Sequence, residues 1–169
     1  MRQPYLALMA LVLPLQAIAF DFKGIVLGGP ATPAQVNDKL GVSCGTGISG
    51  TQVCNGSVSI ARENAKMNLL INASGIVQRI DLSLSPSSFD VIAPLLIEKF
   101  GPPAKTDRSE IQNRLGAKFE QVIHLWRDGE AEVQYRKFAG TVDASSLYFS
   151  TKEDRELRSQ RTANRRGDI

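Results

Sequence analysis

The sequence predicts an α+β fold, in which an antiparallel sheet of about five strands carries two helices packed on one face. Two observations predict it. Apolar and polar residues alternate in neighbouring segments, as in strands with one wet face. Before these segments, apolar residues recur at helical spacing. The 169 residues, 43% of them hydrophobic, suffice for one domain with its own core.

The N-terminus resembles a secretory signal peptide. Arg2 precedes an apolar stretch, and Ala17 and Ala19 supply the small side chains that signal peptidase requires. The stretch is shorter than the roughly 20 residues that cross a bilayer. We therefore expect a mature chain that begins at Phe20, acts in the periplasm or outside the cell and has no stable membrane anchor. The predicted parts are a signal peptide at 1–19, a domain at 20–150 and a charged, frayed or disordered tail at 151–169.

The charge distribution argues against nucleic acid as a partner. The predicted pI is about 9.0, but basic and acidic residues are equal in number between positions 20 and 150. The excess positive charge therefore lies in the leader and the tail. A nucleic-acid-binding domain needs cations clustered on a folded face, so we expect no nucleic-acid partner.

The two cysteines, Cys44 and Cys54, predict a disulfide, because an even number of cysteines in an exported chain is typical of one. A metal site would need more ligands than two thiols and the one histidine, and a redox pair is usually spaced C-x-x-C. We expect neither a metal nor another cofactor.

The first half contains a predicted helix and a predicted hairpin. Thr32, Pro33 and Gln35 form a helix start with a capping box, and Gly41 ends the helix. Apolar residues alternate in 65–71 and 76–84, and a four-residue connector would pair Ile71 with Ile76.

The second half predicts a helix over 88–100, with Pro94 inside it and apolar residues along one stripe. Residues 104–118 suggest a loop or a poorly ordered strand. A second hairpin spans 119–127 and 130–138, and a last strand at 146–150 directs Leu147 and Phe149 inward. The two helices end similarly, which we attribute to shared C-terminal capping rather than to a duplicated unit.

The second hairpin has two alternative registers. A two-residue turn places Val122, His124 and Trp126 beside the inward residues of the next strand. A three-residue loop with a bulge at Gly129 instead places Leu125 with them. We favour the second register because it buries more large apolar side chains.

In the favoured register, several interface-forming side chains share the sheet face opposite the helices. Tryptophan, tyrosine and arginine are enriched at binding sites on proteins. The predicted binding residues are Trp126, Tyr148, His124, Arg136, Arg79 and Gln134, with Asp81 beside them. The alternative is that Trp126 faces inward and fills the core.

Two segments resemble small periplasmic proteins. They are the V-x-x-K-L-G helix ending at 36–41 and the F-D-x-I-A-P-L-L-I-E-K-F-G-P-P helix at 89–103. Over residues 24–150 the chain is similar to the SmpA/OmlA lipoproteins of outer-membrane assembly and to β-lactamase-inhibitor-like domains. The resemblance implies that the sheet face binds a protein and that the chain is not an enzyme.

Three functions follow for testing. The first is an exported binding or accessory protein that recognises an envelope or secreted protein through the predicted face. The second is an inhibitor or immunity-type protein that blocks a secreted hydrolase with the disulfide loop 44–54. The third is an enzyme that uses His124 with Glu132 as an acid/base pair, although no catalytic motif supports it.

Overall fold

A computed structural model describes residues 20–167, with side chains up to Asn164, so the predicted signal peptide lies outside the described residues. The prediction of an α+β fold with about five strands is wrong, because most elements are strands. The strands are β1 (Asp21–Phe22), β2 (Ile25–Val26), β3 (Ser43–Thr46), β4 (Gln52–Ile60), β5 (Glu63–Ile71), β6 (Val77–Leu84), β7 (Lys105–Gln112), β8 (Lys118–Asp128), β9 (Ala131–Arg136) and β10 (Ser145–Thr151). The helices are α1 (Pro33–Leu40), α2 (Phe89–Phe100) and α3 (Lys152–Gly167).

Eight of these strands form one antiparallel sheet in the order β3-β4-β5-β6-β10-β9-β8-β7, and β1 and β2 form a separate pair. Helix α1 precedes β3 to β6, which we call unit 1. Helix α2 precedes β7 to β10, which we call unit 2. The units have the same order of elements and meet where β6 pairs with β10, so the similar helix endings occupy equivalent positions.

The large sheet has a covered face and an open face. Helices α1 and α2 and the β1–β2 pair pack on the covered face, where the core lies. Phe100 of α2 contacts Trp126 and Phe149 edge-on there, and Phe22 of β1 also contacts Phe149. Leu147 and Phe149 point into this core, as predicted.

Strand β3 and most of β4 were missed, and β7 was predicted only as a loop or a poorly ordered strand, because these sequences lack the expected apolar alternation. Strand β7 (KTDRSEIQ) is exposed almost throughout, since it lies at the sheet edge. Charged side chains on an edge strand discourage pairing with other chains, and they also remove the apolar alternation. Strand β3 and most of β4 lie in the glycine-rich segment around the cysteines, where apolar alternation is weak.

The predicted disulfide is present, and it joins directly opposed residues of β3 and β4. Cys54 is fully buried beneath α1, whereas Cys44 is half-buried. The bond therefore ties the short edge strand β3 to the core.

The predicted helix start of α1 is confirmed. The side chain of Thr32 accepts a hydrogen bond from the backbone of Gln35, and the Gln35 side chain accepts one from the Thr32 backbone. Gly41 follows the helix with φ of 67°, a conformation that glycine adopts without a steric cost. Helix α2 also forms as expected and continues through Pro94.

The predicted hairpin of β5 and β6 forms, but Ile71 pairs with Val77 rather than with Ile76. The register shifts between Leu70 and Ile71, and Gln78 is the additional residue on β6. This bulge explains why Gln78 interrupts the apolar alternation of the sequence.

The favoured register of β8 and β9 is wrong. Trp126 pairs with Val133 and His124 pairs with Tyr135, across a two-residue loop that begins with Gly129. Strand β8 is apolar on both faces, because Leu125 is also buried on the open side, so apolar content did not determine which face turns inward.

Candidate functional site

The six predicted binding residues do not share a face. Trp126 and His124 belong to the covered face, and only 2% of Trp126 is exposed. The other four predicted residues lie on the open face: Tyr148, Arg136, Arg79 and Gln134. The alternative interpretation, in which Trp126 fills the core, is therefore the one that the structure supports.

His124 is a packed histidine with a hydroxyl partner. Its Nδ1 lies 2.9 Å from Oγ1 of Thr106, and its ring stacks on Phe89. Burial, with a smaller effect from nearby Arg108, lowers the pKa of His124 below its ordinary value. The predicted acid/base pair does not form, because Glu132 lies on the open face and binds Arg127.

The middle of the open face is a row of hydrogen-bonding side chains that runs across six strands. Cross-strand pairing orders the row as Ser43, Asn55, Asn68, Asp81, Tyr148 and Gln134. Burial raises the pKa of the Asp81 carboxyl. Burial, reinforced by the neighbouring carboxylate of Asp154, raises the pKa of Tyr148 to about 12. Asp81 and Tyr148 are therefore partly shielded from water, whereas Ser43 and Asn55 of the same row are exposed.

Helix α3 provides this shielding by packing on the open face through polar contacts. Asp154, 4% exposed, accepts hydrogen bonds from Arg79 and from the Tyr148 hydroxyl. Arg158 also contacts Tyr148, and Glu153 accepts from Gln78. Because Asp154 is the only buried side chain among those described in α3, docking involves little apolar burial.

The open face of unit 2 carries a groove of about 730 Å³ at the end of the sheet where the β7–β8 and β9–β10 loops meet. Gln121 builds its base. The Gln121 side-chain amide donates to the backbone oxygen of Phe138 and accepts from the Phe138 backbone N–H, at 2.6 Å and 2.9 Å. The Gln121 side chain thus pairs with the Phe138 backbone after β9 has ended, and it fixes the start of the β9–β10 loop.

The groove combines apolar and charged side chains. Phe138 forms part of its lining and packs edge-on against Phe119. Leu115, at the tip of the β7–β8 loop, is 93% exposed. The groove is further lined by Ile111, Val142, Arg114, Arg136 and Asp143.

The corresponding corner of unit 1 is built differently. Its β5–β6 connection, 72–76, is shorter than the β9–β10 connection, 137–144. It also pairs with the segment after β2, because Ala31 donates to the oxygen of Gly75 and Pro30 bridges to Ile76. The longer loop of unit 2 thus departs from the shared plan where the groove lies.

Sequence reasoning identified Arg136 but missed the rest of the groove. Gln121, Phe138 and Leu115 are far apart in the sequence and form no motif. A signal was present, since Leu115 stands between Arg114 and Gly116 in a polar segment, where an apolar residue has no core to enter.

A second exposed apolar side chain lies at the equivalent hairpin of unit 1. Ile48 is 89% exposed in the loop between β3 and β4, inside the disulfide-closed segment. The loop is ordered by Thr51, whose hydroxyl donates to the Ile48 oxygen at 2.8 Å.

Over the described part of the chain, no group of histidine, cysteine and acidic side chains is arranged to hold a metal ion. Within residues 20–167, no helix is both long and apolar enough to cross a membrane. Comparison of the chain with protein-family models, with curated proteins and with solved structures finds no match.

Proposed function

We propose that this protein is an exported binding or accessory protein, without catalytic activity, that recognises a partner protein through the open face of unit 2. The observation that carries the proposal is the groove, which exposes Leu115 beside a base held by the Gln121–Phe138 pairing. Apolar side chains surrounded by polar ones are typical of protein interfaces. The resemblance to protein-binding periplasmic proteins supports the same function.

Export is supported by the disulfide, which is stable in an oxidising compartment. Phe20, the first residue of the expected mature chain, is buried against Phe100 and its carbonyl accepts from the Leu27 backbone. N-terminal sequencing of protein recovered from the periplasm should give Phe20 as the first residue. Intact protein with free thiols in the cytosol would contradict export.

The groove is tested by capture of partners from periplasmic extract, quantified by mass spectrometry. Leu115→Ser should remove the captured partner without changing the fold, because the side chain packs on almost nothing. Ile48→Ser is the matched control, since Ile48 has similar exposure at the equivalent hairpin. Unchanged capture by Leu115→Ser would contradict the role of the groove.

The second candidate function is inhibition of a secreted hydrolase. It is favoured by Ile48, an exposed apolar side chain at the tip of a disulfide-closed hairpin, as a loop that enters an enzyme cleft would require. In assays against secreted hydrolases, Ile48→Ser should then abolish inhibition while Leu115→Ser retains it. Reduction of the disulfide should remove inhibition before it removes secondary structure.

A further inference from the structure

The groove of unit 2 contains two arginines that have no carboxylate partner among the described residues. If the proposed function is right, their chemistry specifies the segment that binds there. Neither Arg114 nor Arg136 forms an ion pair with any residue in the described range. By contrast, Arg127 and Arg108, on neighbouring strands, pair with Glu132 and Glu120. Arg114 and Arg136 are both exposed, so a partner can reach their guanidinium groups.

Both arginines are held by ordered surroundings. Nε of Arg136 donates to Oε1 of Gln134 at 2.7 Å, which orients the guanidinium and leaves its other N–H groups available. Arg114 lies in a loop organised by Asn113, whose Oδ1 accepts from the backbone of Leu115 and of Ala117. A loop ordered before binding loses less conformational entropy when a ligand arrives.

Apolar side chains line the same groove as these charges. Leu115 and Val142 come from the two loops, and Ile111 and Phe138 come from the strands and their ends. A ligand complementary to the groove therefore presents a large apolar side chain for these residues and carboxylates for the arginines.

An acidic side chain in the groove, Asp143, limits how many carboxylates the ligand can carry. Asp143 also lines the groove and has no ion pair among the described residues, so a run of several carboxylates would meet repulsion there. This disfavours polyanions such as nucleic acid, which agrees with the balanced charge of residues 20–150.

We propose that the groove binds a short segment of a partner protein in which a large apolar residue is flanked by aspartate or glutamate. Arg114 and Arg136 bind the carboxylates, and the apolar residue packs among Leu115, Val142 and Phe138. The inference rests on the proposed function and names the chemistry of the partner.

The test uses two fluorescein-labelled peptides and the mature protein, with binding measured by fluorescence anisotropy. The first peptide contains Ser-Glu-Leu-Asp-Ser between glycines, and the second has lysine in place of both acidic residues. We expect the acidic peptide to bind at least about tenfold more tightly, and its affinity to fall as salt is raised. Equal affinities, or no binding of the acidic peptide up to about 1 mM, would overturn the proposal.

Charge reversal identifies the groups responsible. The double variant Arg114→Glu/Arg136→Glu should lose about tenfold affinity for the acidic peptide and gain affinity for the lysine peptide. The double variant Arg62→Glu/Lys66→Glu is the matched control, because it makes the same change in net charge at two exposed cations of unit 1, and it should change neither affinity. An equal loss in the control would show that net charge alone determines binding.

The two proposals fail in different ways. If Leu115→Ser abolishes partner capture but the charge-reversed double variant retains it, the groove binds a protein and the inferred acidic flanks are wrong. If Leu115→Ser has no effect on capture, the proposed function itself is contradicted.

Discussion

The indole Nε1–H of Trp126 donates to the backbone oxygen of Gly101 at 2.8 Å and so joins β8 to the end of α2. The same ring lies edge-on to Phe100. We therefore expect Trp126→Ala to lower the free energy of unfolding by about 3–5 kcal/mol, because it removes a buried aromatic side chain. Urea denaturation followed by circular dichroism measures the loss.

The control for this prediction is Leu115→Ala. Its side chain is almost fully exposed, so the free energy of unfolding should stay within about 0.5 kcal/mol of the wild type. If Trp126→Ala were equally mild, the residue would not be part of the core.

Asp154 is expected to determine whether α3 stays on the open face. Asp154→Asn weakens the bonds to Arg79 and Tyr148 and leaves the Arg79 guanidinium without its carboxylate. Because Leu157 is 45% exposed and α3 buries little apolar area, hydrogen exchange should rise across 152–160 while β5 and β6 keep their protection. Glu156→Gln, an exposed change on the same helix, is the control. Loss of protection in the core strands would show that α3 is integral to the fold.

His124 predicts a pH dependence of stability. Its pKa in the folded protein is lowered from 6.5 by burial, so the unfolded chain binds a proton more readily. The stability associated with neutral His124 is therefore complete above about pH 6.5 and is lost as pH falls from there toward the lowered folded pKa.

The measurement compares unfolding free energies at about pH 7 and pH 5 in the wild type and in His124→Gln. Carboxylates contribute to both proteins, so they cancel in the comparison. The wild type should lose more stability than the variant on acidification. An equal or smaller loss in the wild type would contradict the burial of a neutral histidine.

Removal of the disulfide should act locally on unit 1. Cys44→Ala/Cys54→Ala opens a short loop and should cost about 3 kcal/mol at most, by chain entropy. Strand β3 has a partner on one side only. Hydrogen exchange should therefore increase most, relative to the wild type, in the backbone of β3 and of the facing part of β4. Chemical reduction of the wild type should reproduce the effect, and uniform loss of protection over both units would contradict it.

The elements that sequence analysis predicted well are those with local physical signals. The capping box of Thr32 and Gln35 and the glycine after Leu40 define α1 without reference to the rest of the chain. The alternation in β5 and β6 is equally local, and only the bulge at Gln78 shifted the register.

The predictions failed where contacts between distant parts of the chain, rather than the local sequence, determine the structure. Strand β8 has buried residues on both faces, so the covered side depends on where the rings of α2 and the Gly101 carbonyl lie. Strand β7 is polar because it ends the sheet, which the sequence does not reveal. The groove depends on the contact between Gln121 of β8 and Phe138 of the β9–β10 loop, which no local sequence pattern predicts.

The pairing of β6 with β10 has a consequence for how the molecule assembles. Unit 1 is synthesised first, yet its inner strand β6, which pairs with β5 on one side, acquires its second neighbour only when the final strand of the sheet has been made. Until then the backbone amides and carbonyls on the edge of β6 that faces β10 are unpaired and available to other chains. Folding should therefore be slow, because it waits for a contact between distant parts of the chain, and aggregation during refolding should start at this central seam.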